Sequence, residues 1–172
     1  MSIRPLTPED YDFISPKLDD WWGGRPVRQL LPRLFFEHFS DTSFVVQHGQ
    51  SVAAFLVGFK SLSQPSIAYL HFIGVAPEFR KHGYGRMLLT KFMRKASELE
   101  CAEIRSITAP TNLGSIAFHH SLGFELPLGN GWQGDLPIHL HHAGDGQHRI
   151  LFRKPLANTQ NRLSAPSIGS KT

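Results

Sequence analysis

The sequence predicts an α/β domain built on a mixed β-sheet, and three observations carry this prediction. Apolar runs of strand length alternate with segments in which apolar residues recur at helical spacing. Residues 67–108 form a strand–helix–strand unit, which requires a right-handed crossover. The length of 172 residues leaves room for one domain and a tail, not for two domains.

The N-terminal part of the chain is predicted to hold one strand and two helices. After a short strand at 2–6, Thr7 can cap a helix in which Pro8 suits the first position and Asp10 completes a capping-box spacing. A second helix is predicted from about Pro26. Its apolar stripe consists of Val27, Leu30, Leu31, Leu34, Phe35 and His38.

The remainder of the chain is predicted to complete the sheet. Further strands are expected at 43–47, 52–60, 67–75, 102–108, from 124 onward and at 148–154, with helices at 83–99 and 112–121. The strand at 52–60 is nearly all apolar, which indicates burial on both faces. Residues 129–147 are predicted to form a long Gly- and His-rich loop. The domain is expected to span 1–155, and 156–172 to be a disordered tail because it lacks apolar periodicity.

Composition and cysteine count exclude several classes of protein. A hydrophobic fraction of 41% excludes disorder of the whole chain. The single cysteine, Cys101, excludes an intramolecular disulfide framework and a cysteine-based zinc finger. The longest dense apolar stretch, 52–59, is far shorter than the roughly 20 residues of a membrane helix. We therefore expect a cytoplasmic protein without a membrane partner.

The net charge of +4 is unevenly distributed. Four cations and no acid in 153–172 account for all of it, so that residues 1–152 are neutral. Within that body, residues 80–95 carry six cations and no acid. A compact positive segment in a mildly acidic body favours a small anionic ligand over a long nucleic-acid backbone, and no nucleic-acid partner is expected.

The segment 80–86 has the features of a diphosphate site. It joins a predicted strand to the first turn of a predicted helix, where free backbone N–H groups and the helix dipole favour anions. Gly83 and Gly85 allow a ligand to approach the backbone closely, and Arg80, Lys81 and Arg86 supply charge. The spacing matches neither the dinucleotide fingerprint nor a P-loop.

Two linked segments resemble the GNAT superfamily of N-acetyltransferases. Arg80-Lys81-His82-Gly83-Tyr84-Gly85 is similar to its Arg/Gln-x-x-Gly-x-Gly/Ala motif, and 112–124 is similar to its following Asn-to-Gly-Phe element. The resemblance covers roughly 2–155. It implies the GNAT fold: a mixed central sheet with splayed fourth and fifth strands and helices on both faces. It also implies transfer of an acetyl group from acetyl-CoA to an amine in a ternary complex, without a metal.

The resemblance implies particular cofactor contacts. Backbone amides of the 80–86 loop would hold the diphosphate, in a stretch made of Arg80, Lys81, His82, Gly83, Tyr84, Gly85 and Arg86. The pantetheine arm would pair with the fourth strand at about Ile73, Gly74 and Val75, and an amide near Val75 would bind the thioester oxygen. Asn112 would hydrogen-bond the same arm from the next helix.

The catalytic acid and base are less directly indicated. The family often has a Tyr seven residues after the Asn as general acid, but this chain has His119 there, which either donates a proton or packs beside the cofactor sulfur. Tyr69 and His71 alternate onto one face of the fourth strand. His71 is the better base candidate, and its alternative role is that of a hydrogen-bonded core histidine. Solvent is a third possible base.

The acceptor amine, a small molecule or a peptide, is not identified by any motif. Trp21 and Trp22, beside Asp19 and Asp20, are expected to wall the acceptor pocket and to pack on a cationic amine, or else to be ordinary packed aromatics. The acidic balance of 1–79 favours a cationic acceptor. A homodimer is possible, since dimers are common in the family.

Three alternatives remain open from sequence. The missing Tyr is compatible with a module that binds acyl-CoA without catalysis. The basic helix at 83–99 and the tail are compatible with a nucleic-acid binder. His139, His141, His142 and Asp145 either form a metal cluster of unusual spacing or belong to a mobile loop near the acceptor.

Overall fold

The computed structural model describes residues 1–157, so the part of the predicted tail from 158 onward lies outside the described residues. A six-stranded sheet in the order β1-β2-β3-β4-β5-β8 forms the centre of the fold, and β6 and β7 form a separate hairpin. The strands are β1 (Ser2–Pro5), β2 (Phe44–His48), β3 (Ser51–Lys60), β4 (Ile67–Val75), β5 (Glu103–Thr108), β6 (Gly131–Gln133), β7 (Leu136–Ile138) and β8 (Ile150–Pro155). All neighbouring pairs are antiparallel except β4 and β5, which are parallel.

Helices cover both faces of the sheet. They are α1 (Pro8–Ile14), α2 (Leu18–Trp21), α3 (Leu34–His38), α4 (Tyr84–Glu98) and α5 (Leu113–Ser121). In α4, Leu88, Phe92 and Ala96 recur four residues apart and are buried together against β3. The Phe92 ring lies so close to Gly58 that a Cβ there would be 2.5 Å from it. Truncating Phe92 to Ala would cost about 3–5 kcal/mol.

The sheet separates two hydrophobic cores. One core lies on the face covered by α4, and the other on the face covered by α1, α2 and α3. Residues 52–57 of β3 are buried throughout, as the unbroken apolar run predicts, because helices pack on both sides of this strand. The predicted mixed α/β architecture is confirmed.

The start of α1 follows the capping pattern that the sequence predicts. The Asp10 carboxylate accepts a hydrogen bond from the Thr7 backbone N–H at 2.8 Å. The Arg4 guanidinium binds the same carboxylate through two contacts of 2.7 Å. Burial alone would raise the pKa of Asp10, but these hydrogen bonds outweigh it and lower the pKa.

Three sequence-based predictions of local structure are wrong. The single helix predicted from Pro26 is a 3-10 turn at Arg28–Leu30 followed by the short α3, because Pro32 interrupts the backbone hydrogen bonding between them. No strand begins at 124; the described chain has a single bridge there, between Glu125 and Arg153. Residues 129–147 are not one loop, since they contain the β6–β7 hairpin.

Candidate active site

A gap between β4 and β5 forms the centre of the site. The two strands pair only where Ile67–Tyr69 of β4 lies beside residues 103–105 of β5. At the next residue of each strand, the Ser106 Oγ donates a hydrogen bond to the Leu70 carbonyl at 2.9 Å. Beyond this point both strands contribute to the wall of a cavity of about 600 Å³. We divide its lining into two groups. The loop end consists of Val75, Gly85, Asn112 and Phe118, and the bulge end consists of Trp22, Arg25, Leu30, His71 and Arg149.

The edge of β4 next to the gap carries backbone groups without a strand partner. The Ala76 N–H donates to the Ala53 carbonyl of β3 at 2.9 Å. Because successive residues of a strand direct their polar groups to opposite edges, the amides of Ile73 and Val75 face the gap. Gly74 lies between them, and a Cβ there would be 2.5 Å from the Trp22 ring. The absence of a side chain at Gly74 therefore lets Trp22 pack directly on the strand.

A β-bulge in β4 places His71 in the cavity wall. Val57 pairs with Phe72 and Gly58 with Leu70, which leaves His71 as the extra residue. Its Nε2 donates to the Leu30 carbonyl at 2.7 Å, and its ring stacks on Phe35 at 4.2 Å. The neutral ring therefore carries its free lone pair on Nδ1. Burial lowers the pKa of His71, and the hydrogen bond to the Leu30 carbonyl offsets this lowering only in part. The ring is therefore neutral at pH 7.

The 80–86 loop presents a series of unpaired backbone amides. Lys81 and Gly83 adopt left-handed conformations, with φ of 65° and 81°. Within residues 1–157, the N–H groups of 81–86 have no protein acceptor. They surround the N-terminus of α4, where the helix dipole adds positive potential. This arrangement is suited to a diphosphate.

Side chains of the same loop have different roles. Arg80 is held in place, since it donates to the carbonyls of Trp21 and Val75 and so ties the loop to α2 and to the end of β4. His82 binds the Arg80 carbonyl, and Tyr84 is buried against His48. Lys81 and Arg86 are exposed and have no ion-pair partner among the described residues. Gly85 packs against Phe118, which a Cβ would approach to 3.2 Å.

Asn112 directly precedes α5, His119 lies on it, and both residues line the cavity. Asn112 caps the helix, because its Oδ1 accepts from the Ser115 N–H at 3.3 Å. His119 is only 3% exposed and its ring stacks on Phe152 at 4.1 Å. Its Nδ1 donates to the Ser115 carbonyl at 2.8 Å, whereas its buried Nε2 has no partner among the described residues. Burial lowers the pKa of His119 despite the bond to Ser115, so this neutral ring has no proton on Nε2.

The two predicted tryptophans have different surroundings. Trp22 lines the cavity, with its ring 4.9 Å from that of Phe72. Trp21 is buried in the core against Phe55 and is absent from the cavity lining, which favours its alternative role as an ordinary packed aromatic over a place in the acceptor pocket. The neighbouring Asp19 accepts from the amides of Val27 and Arg28, both at 2.8 Å, which fixes the loop after α2.

The comparisons with known proteins identify the family of this chain. The model of the Acetyltransferase (GNAT) family matches residues 7–124. The chain belongs to the GNAT acetyltransferase family. The predicted family membership is thereby confirmed, together with the acetyl-CoA co-substrate that defines these N-acetyltransferases.

Individual GNAT relatives add detail. The L-2,4-diaminobutyric acid acetyltransferase of Vibrio parahaemolyticus is 25% identical over 123 residues, a match that spans 69% of this chain and 66% of the relative, just under two thirds. An aminoglycoside N(6')-acetyltransferase of Salmonella typhimurium is 29% identical over 126 residues, 63% of this chain and 85% of the relative.

A solved GNAT structure agrees in fold. The diaminobutyrate acetyltransferase of Paenibacillus lautus, in complex with its substrate and coenzyme A, has a TM-score of 0.64. The two sequences are 18% identical, and the structural match covers 91% of this chain and 96% of the Paenibacillus lautus chain.

The reasoning from sequence missed the two arginines in the cavity lining of this GNAT domain. Arg25 follows the Trp-Trp-Gly-Gly turn, and Arg149 directly precedes β8. They are 124 positions apart, and neither belongs to a motif, so only the folded topology brings both to the bulge end. Tyr69 also lines the cavity.

The His-rich segment does not assemble a metal centre in this GNAT domain. His141 lies 3.1 Å from Asp145, but no group of three or more His, Cys, Asp or Glu within residues 1–157 is placed to hold a metal ion. Over the same residues, every helix is too short or too polar to span a bilayer.

Proposed function

We propose that this protein transfers an acetyl group from acetyl-CoA to a small-molecule amine by direct attack in a ternary complex. The observation that carries this proposal is one continuous cavity that reaches Gly85, in a loop with unpaired backbone amides, and that has a neutral histidine, His71, in its wall. The loop end fits an anionic cofactor, and the bulge end fits a base for an amine.

The residues present fit acetyl-CoA along the gap. Amides of the 80–86 loop would bind the diphosphate, and the free edge at Ile73 and Val75 would pair with the pantetheine arm. The side-chain N–H₂ of Asn112 has no partner among the described residues and is available to the same arm. The Val75 amide would polarise the thioester carbonyl, a type of contact commonly worth about 3–4 kcal/mol.

His71 is the base in this proposal. The acceptor must be neutral to attack, yet an alkylamine with a pKa near 10.4 is protonated at pH 7. The free lone pair on Nδ1 can take that proton, directly or through water, while the Leu30 carbonyl fixes the orientation of the ring. Attack by the neutral amine then forms the amide C–N bond and breaks the thioester C–S bond. The nitrogen gives up its remaining surplus proton to solvent, and the sulfur leaves as thiolate.

The acid that protonates the thiolate is assigned to Tyr69 rather than to His119. A neutral ring with a bare Nε2 cannot donate a proton, which favours the packing role for His119. Burial raises the pKa of Tyr69, so its phenol keeps its proton at neutral pH. Tyr69 lines the cavity, and its hydroxyl has no hydrogen-bond partner among the described residues.

The state of His119 also favours one alternative, a module that binds acyl-CoA without catalysis. Thiol release from acetyl-CoA over a panel of diamines, amino acids, aminoglycosides and peptides separates the two, with calorimetry of acetyl-CoA binding in parallel. Turnover with any amine supports the enzyme. Binding of acetyl-CoA without thiol release in the presence of any amine of the panel would contradict the enzyme and support the non-catalytic binding module.

The two curated relatives act on a diamino acid and on aminoglycosides, which supports a small-molecule acceptor over a peptide. A cytoplasmic location, the possible homodimer and the absence of nucleic-acid binding stay predictions. Light scattering and a DNA shift assay at low salt would test the last two.

A further inference from the structure

We propose that the acceptor carries a carboxylate in addition to its amine, and that Arg149 and Arg25 recognise this carboxylate. The inference rests on the proposed acetyl transfer and names the substrate class of the same site. It follows from the charges that line the bulge end of the cavity.

Two guanidinium groups reach the cavity from different walls. Arg25 belongs to the loop after α2, which Asp19 fixes through the Val27 and Arg28 amides. Arg149 directly precedes β8 and lines the cavity beside Tyr69. Burial raises the pKa of Tyr69, and the charge of Arg149 partly offsets this, so the guanidinium lies within electrostatic reach of the phenol.

Neither charge is neutralised by the protein. Arg149 donates to the His148 carbonyl at 2.8 Å and to Gln147 Oε1 at 3.1 Å, which orients the guanidinium without cancelling its charge. Arg25 donates only to the Trp22 carbonyl, at 3.3 Å. Among the described residues, no Asp or Glu pairs with either arginine and none lines the cavity.

Three of the eight acidic residues of 1–79 form ion pairs with arginines: Asp10 binds Arg4, and Asp12 and Glu37 both bind Arg33. None of the eight is in the cavity lining. The acidic balance of 1–79 therefore does not reach the cavity, and the lining favours an acceptor that carries an anionic group beside its amine, not the purely cationic acceptor expected from segment charge.

Such a lining suits a carboxylate-bearing amine in two respects. A guanidinium binds a carboxylate through two parallel hydrogen bonds and is specific for that geometry. Nearby cations also disfavour the ammonium form of the acceptor and so assist the loss of its proton to His71. Polycationic amines have no carboxylate to accept the two parallel hydrogen bonds, and both arginines repel them.

The test uses amines matched in all but the carboxylate. The pairs are L-2,4-diaminobutyrate with 1,3-diaminopropane, L-ornithine with putrescine, and L-lysine with cadaverine. Calorimetry of each amine against the protein saturated with coenzyme A measures binding without turnover. We expect at least one amino acid to bind about tenfold or more tightly than its decarboxylated partner.

Variants assign the preference to the two arginines. Arg149→Gln and Arg25→Gln should each reduce the ratio between the affinity for an amino acid and the affinity for its decarboxylated partner. Arg149→Lys should retain part of this ratio. Arg94 is an exposed residue of α4 about 15 Å from the start of the helix, so Arg94→Gln should leave the affinity ratio unchanged. Thermal unfolding of each variant checks that the fold is intact.

Equal or tighter binding of the diamines, or no binding by any member, would overturn the carboxylate assignment. The same holds if the preference survives both Gln substitutions. Acetyl transfer itself is judged separately by thiol release, since a protein that acetylates only the diamines would keep the proposed function and lose this inference.

Discussion

The two ends of the cavity are built from different kinds of atoms. The loop end consists mainly of backbone amides from one stretch of chain, 73–86. The bulge end consists of side chains from three segments far apart in sequence, represented by Arg25, His71 and Arg149. A backbone site depends on local conformation, whereas a side-chain site depends on which residues the fold brings together.

This difference determines how each end responds to substitution. A side-chain change at the bulge end removes a chemical group outright. At the loop end the binding groups are amides, which every residue except proline provides, so only substitutions that disturb the backbone should matter.

The largest effect is expected from His71→Gln. Loss of the base should lower kcat/KM for the acceptor by about 10²–10³-fold, with little change in acetyl-CoA affinity. The pKa of His71 is lowered by burial, so activity of the parent should fall only as the pH drops below the ordinary histidine value of about 6.5. The measurement is a pH–rate profile of both proteins.

The matched control for His71 is His120→Gln. His120 is an exposed residue of α5 without a hydrogen-bond partner among the described residues, so its kinetics should match those of the parent. Unchanged kinetics in His71→Gln would identify solvent as the base. The bulge end would then not supply a catalytic base.

The next effect concerns the backbone of the loop end. Gly83 has φ of 81° and open space where a Cβ would lie, so Gly83→Ala adds backbone strain and no clash. The strain is about 1–2 kcal/mol. Acetyl-CoA affinity should fall by up to about tenfold if the loop relaxes, with acceptor binding unaffected.

A second glycine provides the control for this experiment. Gly49, in the β2–β3 turn, has φ of 60° and similar open space, but does not belong to the 80–86 loop. Gly49→Ala should lose comparable stability in denaturant unfolding and keep its acetyl-CoA affinity. Equal loss of affinity in both variants would show that general destabilisation, not loop geometry, is being measured.

A smaller catalytic effect is expected from His119→Phe. Because the ring has no proton on Nε2, kcat should fall by much less than the roughly hundredfold loss typical of a general acid. A loss of that size would reinstate His119 as the acid.

The same variant should alter acid stability. The folded-state pKa of His119 lies below its unfolded value of about 6.5. Its contribution to the free energy of unfolding is therefore complete above that value and is lost as the pH falls towards the folded-state pKa. His119→Phe should be less sensitive to acid in this window, as chemical denaturation at pH 7 and pH 5 can measure. His71 acts in the same direction, so part of the sensitivity should remain.

The contrast between the two ends also explains what the sequence predicts and what it misses. Glycines at 83 and 85, beside cations and before a helix, reveal a local backbone site, and β4 is predicted with its observed bounds because its apolar run is uninterrupted. Arg25 and Arg149 carry no local signal, since their proximity depends on strand order. Trp21 and Trp22 are adjacent and indistinguishable in sequence, and only the direction of each ring into core or cavity separates them.

The smallest effect is expected from Lys81→Gln combined with Arg86→Gln. Both side chains are exposed and unpaired within residues 1–157, so water and salt screen their attraction to a diphosphate. Acetyl-CoA affinity should weaken by no more than about fivefold per side chain, and the loss should shrink as salt rises. A loss of a hundredfold or more at physiological salt would mean that side chains, not amides, hold the cofactor. Both ends of the cavity would then be side-chain sites, and the Gly83→Ala result would decide how much of the loop end the backbone still provides.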